Sequence, residues 1–297
     1  MSSFWSIWII LLSVGSIFGC LWILLAVKKG QTNEELTEET VGHAFDGIEE
    51  LDNPMPKWWV QLFILTVVFG LIYLVLYPGL GSYQGLLGWS STSHWEQEVK
   101  SANAKYNPLF EEFATQPIAQ LAKDKSAMKI GQRLFSTNCS LCHGSTGRGS
   151  LGFPNLTDDD WLYGGEPETI KTTIMHGRQG QMPAKGLNPG MNETDVNALT
   201  HYMLSFSKRS DDKQAIKQGK QLFQSACSAC HGVNAKGNQA VGAPDLTDNV
   251  WLYGSTFNMI RQTITYGRAG VMPAQNNSLS EEKIHLLAAY IYSLSNE

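Results

Sequence analysis

The chain has 297 residues, of which 43% are hydrophobic, 10% aromatic and 16% charged, far from the polar, highly charged composition of a disordered polypeptide. Its 22 lysines and arginines against 27 aspartates and glutamates give a net charge of −5, which excludes the basic footprint of a nucleic-acid binder. The acidity is local: residues 28–57 hold eight of the acids and only three of the basic residues.

Residues 4–27 carry no charge and as a helix would span about 36 Å, enough for a hydrocarbon core of about 30 Å. A first transmembrane helix is predicted there. The run is too long for the apolar segment of a signal peptide and Met1-Ser2-Ser3 brings no positive charge, so retention is expected over cleavage. Residues 58–77 form a second uncharged run, preceded by Lys57, ended by Pro78-Gly79 and edged by Trp58, Trp59, Tyr73 and Tyr77, where interfacial aromatics belong. Gly70 gives this span a small-residue face for a neighbouring helix. Lys28, Lys29 and Lys57 all lie in the intervening segment, so the positive-inside rule places residues 28–57 in the cytoplasm and everything from residue 78 onward outside. Cys20, within the first span, reads as apolar packing. Residues 1–80 are thus a membrane anchor, and residues 81–125 a linker region.

The exported part repeats itself. GQRLFSTNCSLCHG at 131–144 matches GKQLFQSACSACHG at 219–232, PNLTDDDWLYGG from Pro154 matches PDLTDNVWLYGS from Pro244, and GRQGQMPA from Gly177 matches GRAGVMPA from Gly267. The match continues from Met191 and Leu279 into the last segment of each copy. Two copies of 80–90 residues make two globular domains, 126–207 and 208–297, each small enough to need a covalent or cofactor staple. Both read as helical: a first helix at 129–138 and 213–226, a short one at 169–176 and 258–266, and a last one capped by Asn192 or Ser280. Gly131 and Gly219 allow another helix to approach the first one closely. The intervening Gly-, Pro- and Asn-rich stretches are expected as loop. The fold class is therefore all-α: two transmembrane helices followed by two tandem helical domains.

All four remaining cysteines lie in two Cys-x-x-Cys-His runs, Cys139, Cys142 and His143, then Cys227, Cys230 and His231. This is the attachment signature of c-type haem. Two thiols one helical turn apart add to the two vinyl groups on one edge of a porphyrin, and the adjoining histidine reaches the iron. A zinc ribbon would need further thiols or paired histidines at metal spacing, and a redox dithiol a thioredoxin-like context; neither copy supplies them. Two covalently bound haem c groups are expected.

Met182 and Met272, each followed by proline in a matched Gly-Arg-x-Gly-x-Met-Pro-Ala context, are the candidate sixth ligands, the alternative being ordinary core methionines. His176 is a rival in the first copy, but the second has Tyr266 there. Met203 reads as core, and His43, His94, His201 and His285 as surface or interface histidines. Arg178 and Arg268 are candidates to donate to haem propionates, guanidinium being matched to carboxylate, or else are solvated loop arginines. Trp161-Leu162-Tyr163 and Trp251-Leu252-Tyr253 read as haem-pocket packing. Whether each methionine serves its own copy stays open, because a symmetric pair of domains can exchange ligand loops.

With these motifs in place the sequence resembles a known family, the dihaem c-type subunit (CcoP or FixP) of cbb3-type cytochrome c oxidases. The specific likeness lies in HAFDGIEELDNPMPKWW at 43–59, the following span, and YPGLGSYQGLLGWSS at 77–91, and it extends over about residues 40–297. The helix at 4–27 departs from family members that have a single span. The resemblance implies an inner-membrane subunit beside a catalytic membrane subunit and a monohaem c-type subunit, taking electrons from a soluble periplasmic cytochrome c and holding no catalytic residues for oxygen reduction. The competing readings are a freestanding membrane-tethered dihaem shuttle and a dihaem peroxidase. The latter would need one iron open to substrate, against which two intact methionine segments argue.

Overall fold

The computed structural model describes residues 2–30, 36, 38–51 and 53–296 and divides into two compact units, Met1–Lys105 and Tyr106–Glu297. In the first unit, helix α1 (Ser3–Gly30) is followed by strands β1 (Thr40–Phe45) and β2 (Ile48–Leu51) and helix α2 (Lys57–Leu76). Both helices are long and apolar enough to cross a membrane, and their apolar side chains, such as Trp22 and Leu65, are largely exposed, as a lipid-facing surface requires. Lys28 and Lys29 close α1, where positive charge meets the negative end of the helix dipole. A groove between the helices is lined by Ser16, Ile17 and Cys20 on α1 and Phe63, Thr66, Val67 and Gly70 on α2. The small face at Gly70 therefore turns toward a helix of the same chain.

The expected loop at 28–57 contains an antiparallel β1–β2 hairpin. Asp46 and Gly47, both at positive φ, form its two-residue turn, the backbone that a twisted hairpin demands. Residues 31–35, 37 and 52 of that loop lie outside the described residues. After α2 the chain folds back on the helix end: Leu86 N–H donates to Val75 O at 2.9 Å, Leu87 N–H to Leu76 O at 3.0 Å, and Tyr83 O–H to Val75 O at 2.9 Å. These bonds satisfy carbonyls that a helix terminus leaves open. Gly85 is required here, since its φ is +73° and a Cβ would run into the Leu76 carbonyl. The stretch expected as linker continues into helix α3 (Ser91–Ala114), begun by reciprocal Ser90 and Ser93 bonds.

In the second unit the short helix α4 (Ile118–Leu121) leads to α5 (Lys125–Asn138), α6 (Ser140–His143), α7 (Pro167–His176), strand β3 (Arg178–Met182) and α8 (Glu193–Phe206). The second copy repeats this as α9 (Lys213–Ala226), α10 (Ser228–His231), α11 (Phe257–Tyr266), β4 (Arg268–Met272) and α12 (Glu281–Ser295). Helix starts follow local chemistry: Asp124 accepts from Ser126 and Ala127 N–H, Asp212 from Ala215 N–H, and Asn192 forms a capping box with Asp195. The stretches at 178–182 and 268–272, expected as loop, are strands because they pair with one another in an antiparallel ribbon. The fold is otherwise helical.

Two cores form, and they cut across the repeat. Phe135, Leu156, Ile170 and Ile174 of the first copy pack with Ile284, Leu287, Tyr290 and Ile291 of α12. Phe223, Ile260 and Ile264 of the second copy pack with Met191, Val196, Leu199 and Met203 of α8. The closing helix of each copy thus completes the other. Gly131 and Gly219 do admit a close helix, and the visitors are Tyr290 of α12 and Ala198 and Tyr202 of α8.

Candidate functional site

Each Cys-x-x-Cys-His run is built the same way. Helix α5 ends at Cys139, whose N–H still donates to Phe135 O, and the next turn closes with His143 N–H donating to Cys139 O at 3.0 Å. Cys227 and His231 repeat both bonds at the end of α9. The two thiols of each pair are thereby one turn apart, and none of the five cysteines is in a disulfide. Burial, then the neighbouring Cys142, pushes the Cys139 thiol up to about 11; burial and Cys230 do the same to Cys227.

His143 donates from Nδ1 to Pro154 O at 3.0 Å, and His231 from Nδ1 to Pro244 O at 3.2 Å. A carbonyl can only accept, so the proton is fixed on Nδ1 and Nε2 is left as a basic lone pair, the arrangement that supports a metal-bound imidazole. Burial also lowers the pKa of His231, favouring the neutral, ligating form. The donor set fits a c-type haem. A second observation fits: the Trp251 indole N–H is buried with no partner among the described residues, and a haem propionate is a group that would accept from it.

Met182 and Met272 end the two strands of the ribbon, in register Arg178↔Met272, Gly180↔Gly270 and Met182↔Arg268. Arg178 donates from Nε to Thr173 Oγ1 at 2.9 Å with its guanidinium 4.7 Å over the Tyr163 ring. Arg268 matches it, bonding Thr263 Oγ1 and lying 4.4 Å over Tyr253. Both arginines are thus held by their own copy and are not free loop residues. Trp161 packs against the first core and Trp251 against the second.

The remaining candidates sort by burial. His176 is exposed at the end of α7, and Met203 is buried core at 5% exposure. His43 and His94 are exposed. His201 bonds Ser210 at 2.8 Å and stacks edge-on against Phe257, and His285 is buried with Nε2 donating to Gln116 O at 2.9 Å, so both are interface histidines. Sequence reasoning gave no role to Lys185, whose ammonium donates to Met191 O at 2.6 Å and so ties down the segment after Met182.

Comparison with known proteins identifies the family. The family model for the N-terminal domain of cytochrome oxidase-cbb3, FixP, matches residues 37–84, and that for cytochrome c oxidase, cbb3-type, subunit III, matches twice, at 126–203 and 214–291. The chain is 45% identical over 295 residues to the cbb3-type cytochrome c oxidase subunit CcoP of Rubrivivax gelatinosus, covering 99% of this chain and 96% of that one. The chain belongs to the CcoP/FixP family. It is 37% identical to the CcoP subunit of Cereibacter sphaeroides over 86% of this chain and 94% of the relative, and 39% identical to the FixP subunit of Bradyrhizobium sp. (strain ORS 278) with the same coverage. A CcoP/FixP chain is an electron-transfer subunit of the oxidase complex that binds haem c through its cytochrome c domains. The Rubrivivax alignment is long enough to take in α1, which the other two, at 86% of the chain, need not reach.

Proposed function

We propose that this CcoP/FixP chain carries two covalently bound haem c groups, one at Cys139 and Cys142 and one at Cys227 and Cys230. His143 and His231 would bind the two irons through nitrogen, and the Met182 and Met272 sulfurs would complete their ligand sets. It relays electrons from a soluble periplasmic cytochrome c toward the catalytic membrane subunit, beside the monohaem c-type subunit, in a bacterial inner membrane with the haem domains periplasmic and residues 28–57 cytoplasmic. The observation that carries the reading is the duplicated histidine geometry, with each Nδ1 proton tied to a proline carbonyl.

When bound, haem iron of this kind exchanges single electrons, and a thioether ligand raises its potential while closing the sixth position. The chain's part is to hold the imidazole in one tautomer, aim the thioether from a rigid ribbon, and exclude water with Phe135, Leu156 and their counterparts. The test is the purified oxidase supplied with reduced soluble cytochrome c. The chain is expected to copurify stoichiometrically, and His143→Ala or His231→Ala to reduce donor-driven oxygen uptake by tenfold or more. Full turnover in either variant contradicts the relay.

A further inference from the structure

The two repeats do not close on themselves, and the segment that carries each methionine travels with the exchanged helix. Beyond Met182, Lys185 N–H donates to Ile264 O at 2.7 Å and Leu187 N–H to Ala226 O at 3.0 Å. Ala226 directly precedes Cys227. Gly186, at φ +63°, passes so close that a Cβ there would lie 3.5 Å from the Cys227 sulfur. In the opposite direction, beyond Met272, Gln275 N–H donates to Ile174 O at 3.0 Å and Asn276 N–H to Met175 O at 3.4 Å. Met272 itself packs against the first core, the one that also takes Cys139 and Trp161.

The closing helices complete the exchange. The Tyr290 ring of α12 lies 5.5 Å from that of Phe135, and the Tyr202 ring of α8 5.6 Å from that of Phe223. Lys171 of α7 pairs with Glu281 of α12 at 2.8 Å, and its counterpart Arg261 of α11 pairs with Glu193 of α8. The crossing point is the ribbon, where Gly180 faces Gly270 about a pseudo-twofold axis.

Resting on the haem reading above, we propose that axial ligation is reciprocal: Met272 serves the iron of the haem attached at Cys139 and Cys142, and Met182 serves that at Cys227 and Cys230. Each redox site is then assembled from both repeats, and the ribbon fixes the two sites relative to each other. Neither repeat alone contains a complete six-coordinate site.

The test uses the full chain and the weak near-infrared sulfur-to-iron band of its oxidised form. Met182→Ala and Met272→Ala are each expected to remove half of the band; loss of none in either defeats methionine ligation itself and the exchange with it. With half lost, pairing is read from double variants. His143→Ala removes the contribution of the first centre, whether or not that haem stays attached. Adding Met272→Ala is expected to leave the remaining half intact, and adding Met182→Ala to abolish it; the opposite pattern overturns the exchange while leaving methionine ligation standing. His231→Ala gives the reciprocal series. Should the histidine variants fail to accumulate, Lys171→Cys with Glu281→Cys is expected to be joined within one chain by a short bifunctional thiol reagent, and Lys171→Cys with Glu193→Cys is not. The reverse result overturns the proposal.

Discussion

Arg178 and Met272 stand directly opposite one another in the β3–β4 ribbon, although 94 positions separate them in sequence. Met182 and Arg268 repeat the relationship on the other side of the Gly180–Gly270 pair. The arginine at the start of each strand is fastened to its own copy through Thr173 or Thr263, so the methionine opposite belongs to a strand arriving from the other copy. Gly177 and Gly267 make this approach feasible: a Cβ at Gly177 would strike the Met272 carbonyl and one at Gly267 the Met182 carbonyl.

Close helix packing at the two conserved-in-repeat glycines gives a stability test. A Cβ at Gly131 would lie 2.7 Å from Tyr290 Cβ, and one at Gly219 would meet the Ala198 carbonyl. Gly131→Ala and Gly219→Ala are expected to destabilise the holoprotein by about 1–3 kcal/mol each through overpacking. Gly190→Ala, whose nearest neighbour is Asn188 Oδ1 at 3.4 Å, is expected to shift the midpoint little. Thermal or denaturant unfolding of the three variants measures this; equal midpoints would contradict the packing.

The buried indole of Trp251 gives a redox test. Trp251→Phe keeps the ring packing and removes the N–H that lacks a partner among the described residues. If that N–H donates to a propionate, its loss leaves more negative charge near one iron and favours the ferric state. A lost stabilisation of about 1 kcal/mol corresponds to a fall of roughly 40 mV for a one-electron couple. Potentiometric titration is expected to show one centre lowered and the other unchanged; two unchanged potentials would assign the indole to packing alone.

The first span, the β1–β2 hairpin and the caps of α5, α8 and α9 differ in how far they could be read from sequence. Apolar length gave α1 and α2, and Asn192 with Asp195 gave the start of α8, because those signals are local. The β1–β2 hairpin was missed although Asp46-Gly47 is a strong turn pair, since the acidic composition of the segment suggested a loop. Strands β3 and β4 carry no local signal: each pairs only with a partner in the other copy. The exchange of α8 and α12 is illegible for a deeper reason. Tyr202 and Tyr290 are equivalent, as are Gly131 and Gly219, so the same pattern satisfies self-closure and exchange equally well. Three-dimensional contacts such as the pairing of Lys171 with Glu281 and of Arg261 with Glu193 break the tie.

Membrane orientation is tested at the hairpin tip. Ile48 is 71% exposed, and Ile48→Cys is expected to react with a membrane-impermeant thiol reagent only in inside-out vesicles. Labelling in intact spheroplasts would invert the topology.

The turn after α2 is tested at Gly85. Because Gly85→Ala puts a side chain into the Leu76 carbonyl at a positive φ, residues 80–88 are expected to lift from the helix end and become several-fold more sensitive to limited proteolysis, with both haems retained. Unaltered cleavage would show that the turn relaxes without strain.

The most direct measurement is the mass of the denatured full chain and of its proteolytic peptides. The chain is expected to carry the mass of two haems, one on the peptide with Cys139 and Cys142 and one on the peptide with Cys227 and Cys230. A single-haem mass, or two peptides with unmodified thiols, would contradict the paired redox sites on which the electron relay depends.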